Sequence, residues 1–241
     1  MIKADFNTFS GLVDKYFNNS IGFGQHKTLA VDLLKQTMNI LNEFNIKHCL
    51  ISGTLLGFAR HKDFIPWDDD MDLLVDSSIK DKLPEIIAKY ERLFTFMGIV
   101  INSEKAIIKM CFTNVGIEMK TDNHGFKNKI LNKKGKYNWP FIDLFTYSTS
   151  EDGNSIRFFD KDWESSKMFP FETASFLNLD VNTPKDYDYF LKSNYGQEYM
   201  TRLISNGYIH KDEETLDSSK IVSVDIQGYN IVKSLNRTQN G

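Results

Sequence analysis

Between residues 51 and 75 the chain reads Ile-Ser-Gly-Thr-Leu-Leu-Gly-Phe-Ala-Arg-His-Lys-Asp-Phe-Ile-Pro-Trp-Asp-Asp-Asp-Met-Asp-Leu-Leu-Val, and its acids are the residues best placed for chemistry. Asp68, Asp69, Asp70 and Asp72 crowd together with no Lys or Arg among them. Carboxylates this close repel one another unless a cation sits between them. A divalent metal is the simplest such cation, and a phosphate-bearing substrate is the usual reason to hold one. Side chains alternate along a strand, so Asp70 and Asp72 share a face, with Cα atoms about 6.6 Å apart at a rise of roughly 3.3 Å per residue. That separation lets both carboxylates converge on one cation, or on a pair. Asp68 shares their parity if the strand begins early, whereas Asp69 would face away. The competing reading is a solvated acidic loop. Against it, Ile65-Pro66-Trp67 and Leu73-Leu74-Val75 pin the run between apolar anchors.

A second candidate is Asp143, a lone acid within Phe141-Ile142-Asp143-Leu144-Phe145. Burying it without a partner is costly, so it either faces water at an edge, pairs with a lysine, or joins Asp70 and Asp72 from an adjacent strand. Gly53-Thr54 sits where a strand hands over to a helix. There glycine allows close approach of a phosphate, and Ser52 or Thr54 can add a hydroxyl. An ordinary capped turn explains the same residues. Arg60, His61 and Lys62 follow at once, either as an exposed basic face or as neutralising groups for a diphosphate, with Arg60 offering bidentate geometry.

The elements that must position these residues follow from periodicity. Residues 28–44 place Leu29, Leu33, Leu34, Met38, Leu41 and Phe44 on one helical face. A short buried strand is expected over 46–51, helical turns over 55–60, and a second strand over 71–75. Residues 79–93 predict a helix with Pro84 in its first turn. Strands are expected at 94–101, 106–113, 115–119 and 139–147, with a solvated loop over 120–138. Thr183 and Pro184 suit the N-cap and first position of a helix ending near Gly196. Short helices among strands of unequal length predict an α+β fold with a mixed sheet flanked by helices and a helical C-terminal portion. One domain over residues 1–215 and a polar tail over 216–241 are expected.

Composition narrows the class. The chain has 241 residues, 41% of them hydrophobic, enough for a substantial core. A formal charge of −3 provides no basic field for nucleic acid. Cys49 and Cys111 both sit in apolar surroundings and read as buried free thiols. The first residues lack a signal-peptide core, and no apolar stretch approaches a membrane span, so a cytoplasmic protein is expected.

Taken together, Ser52-Gly53-Thr54-Leu55-Leu56-Gly57, Arg60-His61-Lys62 and Phe64-Ile65-Pro66-Trp67-Asp68-Asp69-Asp70-Met71-Asp72 closely resemble the signature of the LicD/fukutin family of phosphotransferases. Trp139-Pro140-Phe141-Ile142-Asp143-Leu144-Phe145 resembles its downstream acid-bearing strand, and Thr183-Pro184-Lys185-Asp186-Tyr187 its C-terminal helix. The likeness implies a nucleotidyltransferase (DNA polymerase β-like) fold. It also implies transfer of a phosphorylated alcohol, such as phosphocholine or ribitol phosphate, from a CDP-activated donor to a glycan hydroxyl. On that likeness Asp70 and Asp72 hold Mg2+ (or Mn2+) with Asp68 in support, Asp143 is the third carboxylate and candidate base, and Gly53 and Thr54 contact donor phosphate. Asp63 departs from the pattern, standing where the family often has glycine. The animal relatives' membrane anchor and cysteine-rich zinc element have no counterpart in this sequence, which reads as a minimal catalytic domain.

Three alternatives remain at this level. A nucleotidyltransferase attaching a nucleoside monophosphate would need the same acids. A glycosyltransferase with an Asp-x-Asp manganese site would need a nucleotide-binding region before them. A catalytically inactive glycan- or nucleotide-binding module would not need the acids at all.

Overall fold

A computed structural model describes residues 2–5, 22–65, 68–101, 106–119, 129–132, 135–197, 199–200, 202–203 and 221–224. The buried side chains between Phe23 and Tyr199 form one apolar cluster, and the architecture is mixed α+β. Pro66 and Trp67 lie outside the described residues, as does the expected tail over 216–241 apart from Ile221–Val224. That strand pairs antiparallel with Ile2–Asp5, which also pairs parallel with Arg202–Leu203.

At the centre is an eight-stranded sheet. Its hub is Phe141–Thr149, which pairs parallel with Met71–Asp76 on one side and antiparallel with Ala106–Phe112 on the other. Phe94–Ile101 and then Lys129–Ile130 extend the sheet beyond Ala106–Phe112. His48–Leu50 pairs antiparallel with Met71–Asp76. The hairpin Ser155–Phe158 and Lys161–Glu164 joins the far end of the hub.

Two amphipathic helices cover one face. Helix Lys27–Glu43 buries Leu33, Leu34, Met38, Ile40 and Leu41, and helix Ile79–Tyr90 buries Ile79, Leu83 and Ile86. Residues of both helices line one small cavity with Ile108, Met110 and Leu144 of the sheet. Because strand side chains alternate, Lys109 and Asp143 point to the opposite face. Among the described residues no helix is long and apolar enough to cross a membrane.

Several expectations shift. The strand over 46–51 shrinks to His48–Leu50, and a helix begins directly at Ser52, so Ser52-Gly53-Thr54 form its first turn rather than a break before it. Pro84 falls inside helix Ile79–Tyr90, beyond its first turn. Thr183 ends a strand instead of capping a helix. The cap of Tyr187–Tyr195 is Asp186, whose carboxylate accepts the Tyr189 N–H at 3.0 Å. Among the described residues of the C-terminal portion, a second hairpin, Glu172–Phe176 with Leu179–Thr183, stands before that helix, so strands accompany the expected helical element. Within the expected loop over 120–138, residues 120–128 and 133–134 lie outside the described residues, and Lys129–Ile130 and Asn138–Trp139 contribute short strands.

Candidate functional site

Register brings the acids together. In the parallel pair, Asp72 lies opposite Asp143, and in the antiparallel pair Lys109 lies opposite Asp143. Residues in register on neighbouring strands sit about 4.8 Å apart and point the same way, so Asp72, Asp143 and Lys109 form a row across three strands. Asp70 stands one residue before its strand. Carboxylate oxygens of Asp70, Asp72 and Asp143 all lie within 4.8 Å of one another.

Asp72 is fixed by the segment that precedes it in the chain. Its Oδ2 accepts the Gly53 N–H at 3.2 Å, its own N–H is donated to Thr54 Oγ1 at 2.8 Å, and its carbonyl accepts from Ile51 N at 3.4 Å. Ser52 makes the turn by adopting φ +48°, a left-handed conformation costly for a residue other than glycine. Gly53 and Thr54, expected to meet donor phosphate, are thus engaged in placing a carboxylate.

Asp143 is buried with Lys109, whose ammonium lies 2.9 Å from Oδ1 and 3.0 Å from Oδ2. The same ammonium sits 3.3 Å from the Phe141 ring centroid. Lysine pairing and convergence with Asp70 and Asp72, alternatives in the sequence, are both realised. Lys109 itself was missed. It sits in Ala-Ile-Ile-Lys-Met-Cys-Phe, where the argument applied to Asp143 about a lone charge in an apolar strand also applies.

Asp68 joins a second group instead of the first. Its carboxylate meets those of Asp69 and Asp70, so Asp70 belongs to both clusters, and Asp69 does not face away as parity suggested. The reason is that residues 68–70 are irregular backbone, to which strand alternation does not apply. Trp139 holds this stretch, its indole N–H reaching the Asp69 carbonyl at 2.6 Å.

The basic residues ride on a π-helical turn, Gly57–His61. Arg60 donates from Nε to His61 Nε2 at 3.0 Å and from a guanidinium nitrogen to the Tyr199 carbonyl at 3.2 Å. Lys62 ends the turn at φ +56° with its ammonium 5.4 Å from the Phe58 ring centroid. Gly57 lies against backbone, where a Cβ would come within 2.6 Å of the Asp63 carbonyl. Asp63 turns away to an ion pair with Lys27 and accepts the Phe64 N–H at 2.7 Å.

Burial, then the charges of Asp72, Asp68 and Asp143, push the Asp70 carboxyl well above its usual range, with Lys109 opposing. Three converging carboxylates carry more negative charge than one ammonium offsets. All-oxygen donors suit a hard dication such as Mg2+, so the residues present fit that ion. Cys49 and Cys111 are buried free thiols, as expected.

A family model described as LicD/FKTN/FKRP, nucleotidyltransferase domain, matches residues 45–186, a span that holds every carboxylate above. An uncharacterized protein of Rickettsia prowazekii is 30% identical over 139 residues, covering 51% of each chain. The lipopolysaccharide cholinephosphotransferase LicD of Haemophilus influenzae is 37% identical over 49 residues, 20% of this chain and 18% of that one. The chain thus matches about half or less of the length of these curated relatives. The solution structure of the antibiotic-resistance factor ANT(2'')-Ia aligns over 89% of this chain and 94% of its own, with 11% identity and a TM-score of 0.38, too low to support an argument. On the family match, and with its acids gathered in the matched span, the chain belongs to the LicD/FKTN/FKRP family.

Proposed function

We propose that the protein is a Mg2+-dependent transferase that moves a phosphorylated alcohol from a CDP-activated donor to a glycan hydroxyl. The observation that carries this reading is the convergence of Asp70, Asp72 and Asp143, the last two on strands paired in parallel and the first one residue before its strand. Family membership and the cholinephosphotransferase activity named for the Haemophilus relative support the substrate class. The catalytic unit is a nucleotidyltransferase-type fold contained in a single domain.

Asp70, Asp72 and Asp143 would hold the ion, with Asp68 adding charge through Asp70. When bound, a dication supplies charge neutralisation for a diphosphate and its leaving group. Gly53 and Thr54 keep Asp72 in its position, and Arg60, His61 and Lys62 are the groups for donor phosphate. Most of the acceleration would come from alignment and fixed charge.

The description of the matching family as a nucleotidyltransferase domain favours one rival, transfer of a nucleoside monophosphate to a small molecule. Products separate the two. CDP-choline, CDP-ribitol and CDP-glycerol are each incubated with Mg2+, and released CMP is measured; nucleoside triphosphates are assayed in parallel for pyrophosphate. CMP release supports the proposal, and pyrophosphate without CMP supports the rival. Asp70→Asn and Asp72→Asn should each lower turnover by about a thousandfold or more while keeping the circular dichroism of the native fold. Substantial turnover in either variant removes the metal role.

A further inference from the structure

We propose that Lys109 is a positioning residue, a built-in counter-ion that holds Asp143 in the metal-free fold and lowers the site's affinity for a dication enough for the ion to exchange. The proposal rests on the metal reading above.

Lys109 is register-paired with Asp143 and exposes only 5% of its surface, against 7% for Asp143 and 8% for Asp72. Its ammonium is held between both Asp143 oxygens and the Phe141 ring, so the charge is fixed in place rather than reaching for solvent. Its strand neighbours Ile108 and Met110 are fully packed apolar residues. A buried ion pair rarely stabilises a fold more than apolar residues of the same size. Packing therefore gives no reason for a lysine here, and the acids do.

Asp70, Asp72 and Asp143 together carry three negative charges when ionised. Lys109 and a dication together balance these three charges; without Lys109 a dication would meet one more uncompensated negative charge and be held more firmly.

Lys109→Met keeps the length of the side chain and removes the charge. Unfolding midpoints of wild type and variant are compared at about pH 8, where free carboxylates are ionised, in EDTA and in saturating Mg2+. The variant should melt lower in EDTA, gain more from Mg2+ than wild type does, and bind Mg2+ about tenfold more tightly by calorimetry. A Mg2+ gain equal to or smaller than that of wild type overturns the proposal while leaving the metal site standing. No Mg2+ response in wild type overturns both. Should Lys109→Met fail to fold, the double variant Lys109→Met with Asp143→Asn decides. It should fold in EDTA, because neither charge is left without its partner. A double variant as unstable as the single one means that packing, not charge, is what Lys109 provides, and the proposal fails.

Discussion

Asp72 takes its position from Gly53, Thr54 and Ile51, and of these the Thr54 hydroxyl can be removed without changing shape. In Thr54→Val the buried Asp72 N–H loses its acceptor, which costs about 1–3 kcal/mol. Chemical denaturation should register that loss, and Thr54→Ser should recover most of it. A Val variant as stable as wild type would mean that the hydroxyl is dispensable to the site. Asp70 makes a different prediction, with a sign that can be checked. Its carboxyl is raised from an ordinary 3.8, so the folded chain keeps a proton that the unfolded chain has released. An acid of this kind contributes stability that is lost as pH rises from about 4 through its folded value. In EDTA the melting temperature of wild type should therefore fall more steeply over that window than that of Asp70→Asn, which has no proton to lose. Parallel melting curves for the two proteins would contradict the assignment. At this scale the sequence was largely legible: parity and apolar anchors marked Asp70 and Asp72, and the cost of burying a lone acid marked Asp143. Asp69 escaped because parity was extended into irregular backbone. Lys109 leaves a weaker mark, since a lysine on an apolar strand can carry its ammonium out to water along its flexible stem.

The acidic stretch can reach the sheet because the π-turn ahead of it packs tightly on the chain that follows. Gly57 meets only backbone there, at distances that leave no room for a methyl group. Gly57→Ala must displace Asp63, Phe64 and Ile65, the residues leading into Asp68–Asp70, at a cost of about 1–3 kcal/mol. Thermal melts should record the loss, and Mg2+ binding should weaken with it; an alanine variant with unchanged binding would separate the turn from the site. Elements with a strong period were the readable ones, namely helix Lys27–Glu43 and the strands Phe94–Ile101 and Ala106–Phe112. The two hairpins were not, and their turns explain why. Phe159 and Asp160 adopt φ +52° and +57°, and Leu177 and Asn178 adopt +54° and +61°. Consecutive positive values belong to the tight turns that usually announce themselves with Asn-Gly or Asp-Gly. Neither turn contains glycine, so the usual signal was missing.

Across the whole molecule, the same sheet that aligns the acids also links the two cysteines. Cys49 lies opposite Leu74 on the strand beside Asp72, and Cys111 lies opposite Phe141 beyond Asp143. The order of these strands was not readable, since pairing between segments distant in sequence leaves no local mark, although the α+β class was. Burial raises the Cys49 thiol well above its usual value and the Cys111 thiol to about 11, so at neutral pH neither offers much of the thiolate that reacts with disulfide reagents. Labelling must then wait for the sheet to open. With one continuous core from Phe23 to Tyr199, the expected opening is of the sheet as a unit. Cys49 and Cys111, followed separately by single Cys→Ser variants, should label at a common rate set by that opening. A dication bridging Met71–Asp76 and the hub strand would stabilise the closed sheet, and Mg2+ should slow both thiols by the same factor. Faster labelling of Cys111 alone, or slowing confined to Cys49, would divide the sheet into independent halves and place the acids at a seam rather than within one cooperative structure.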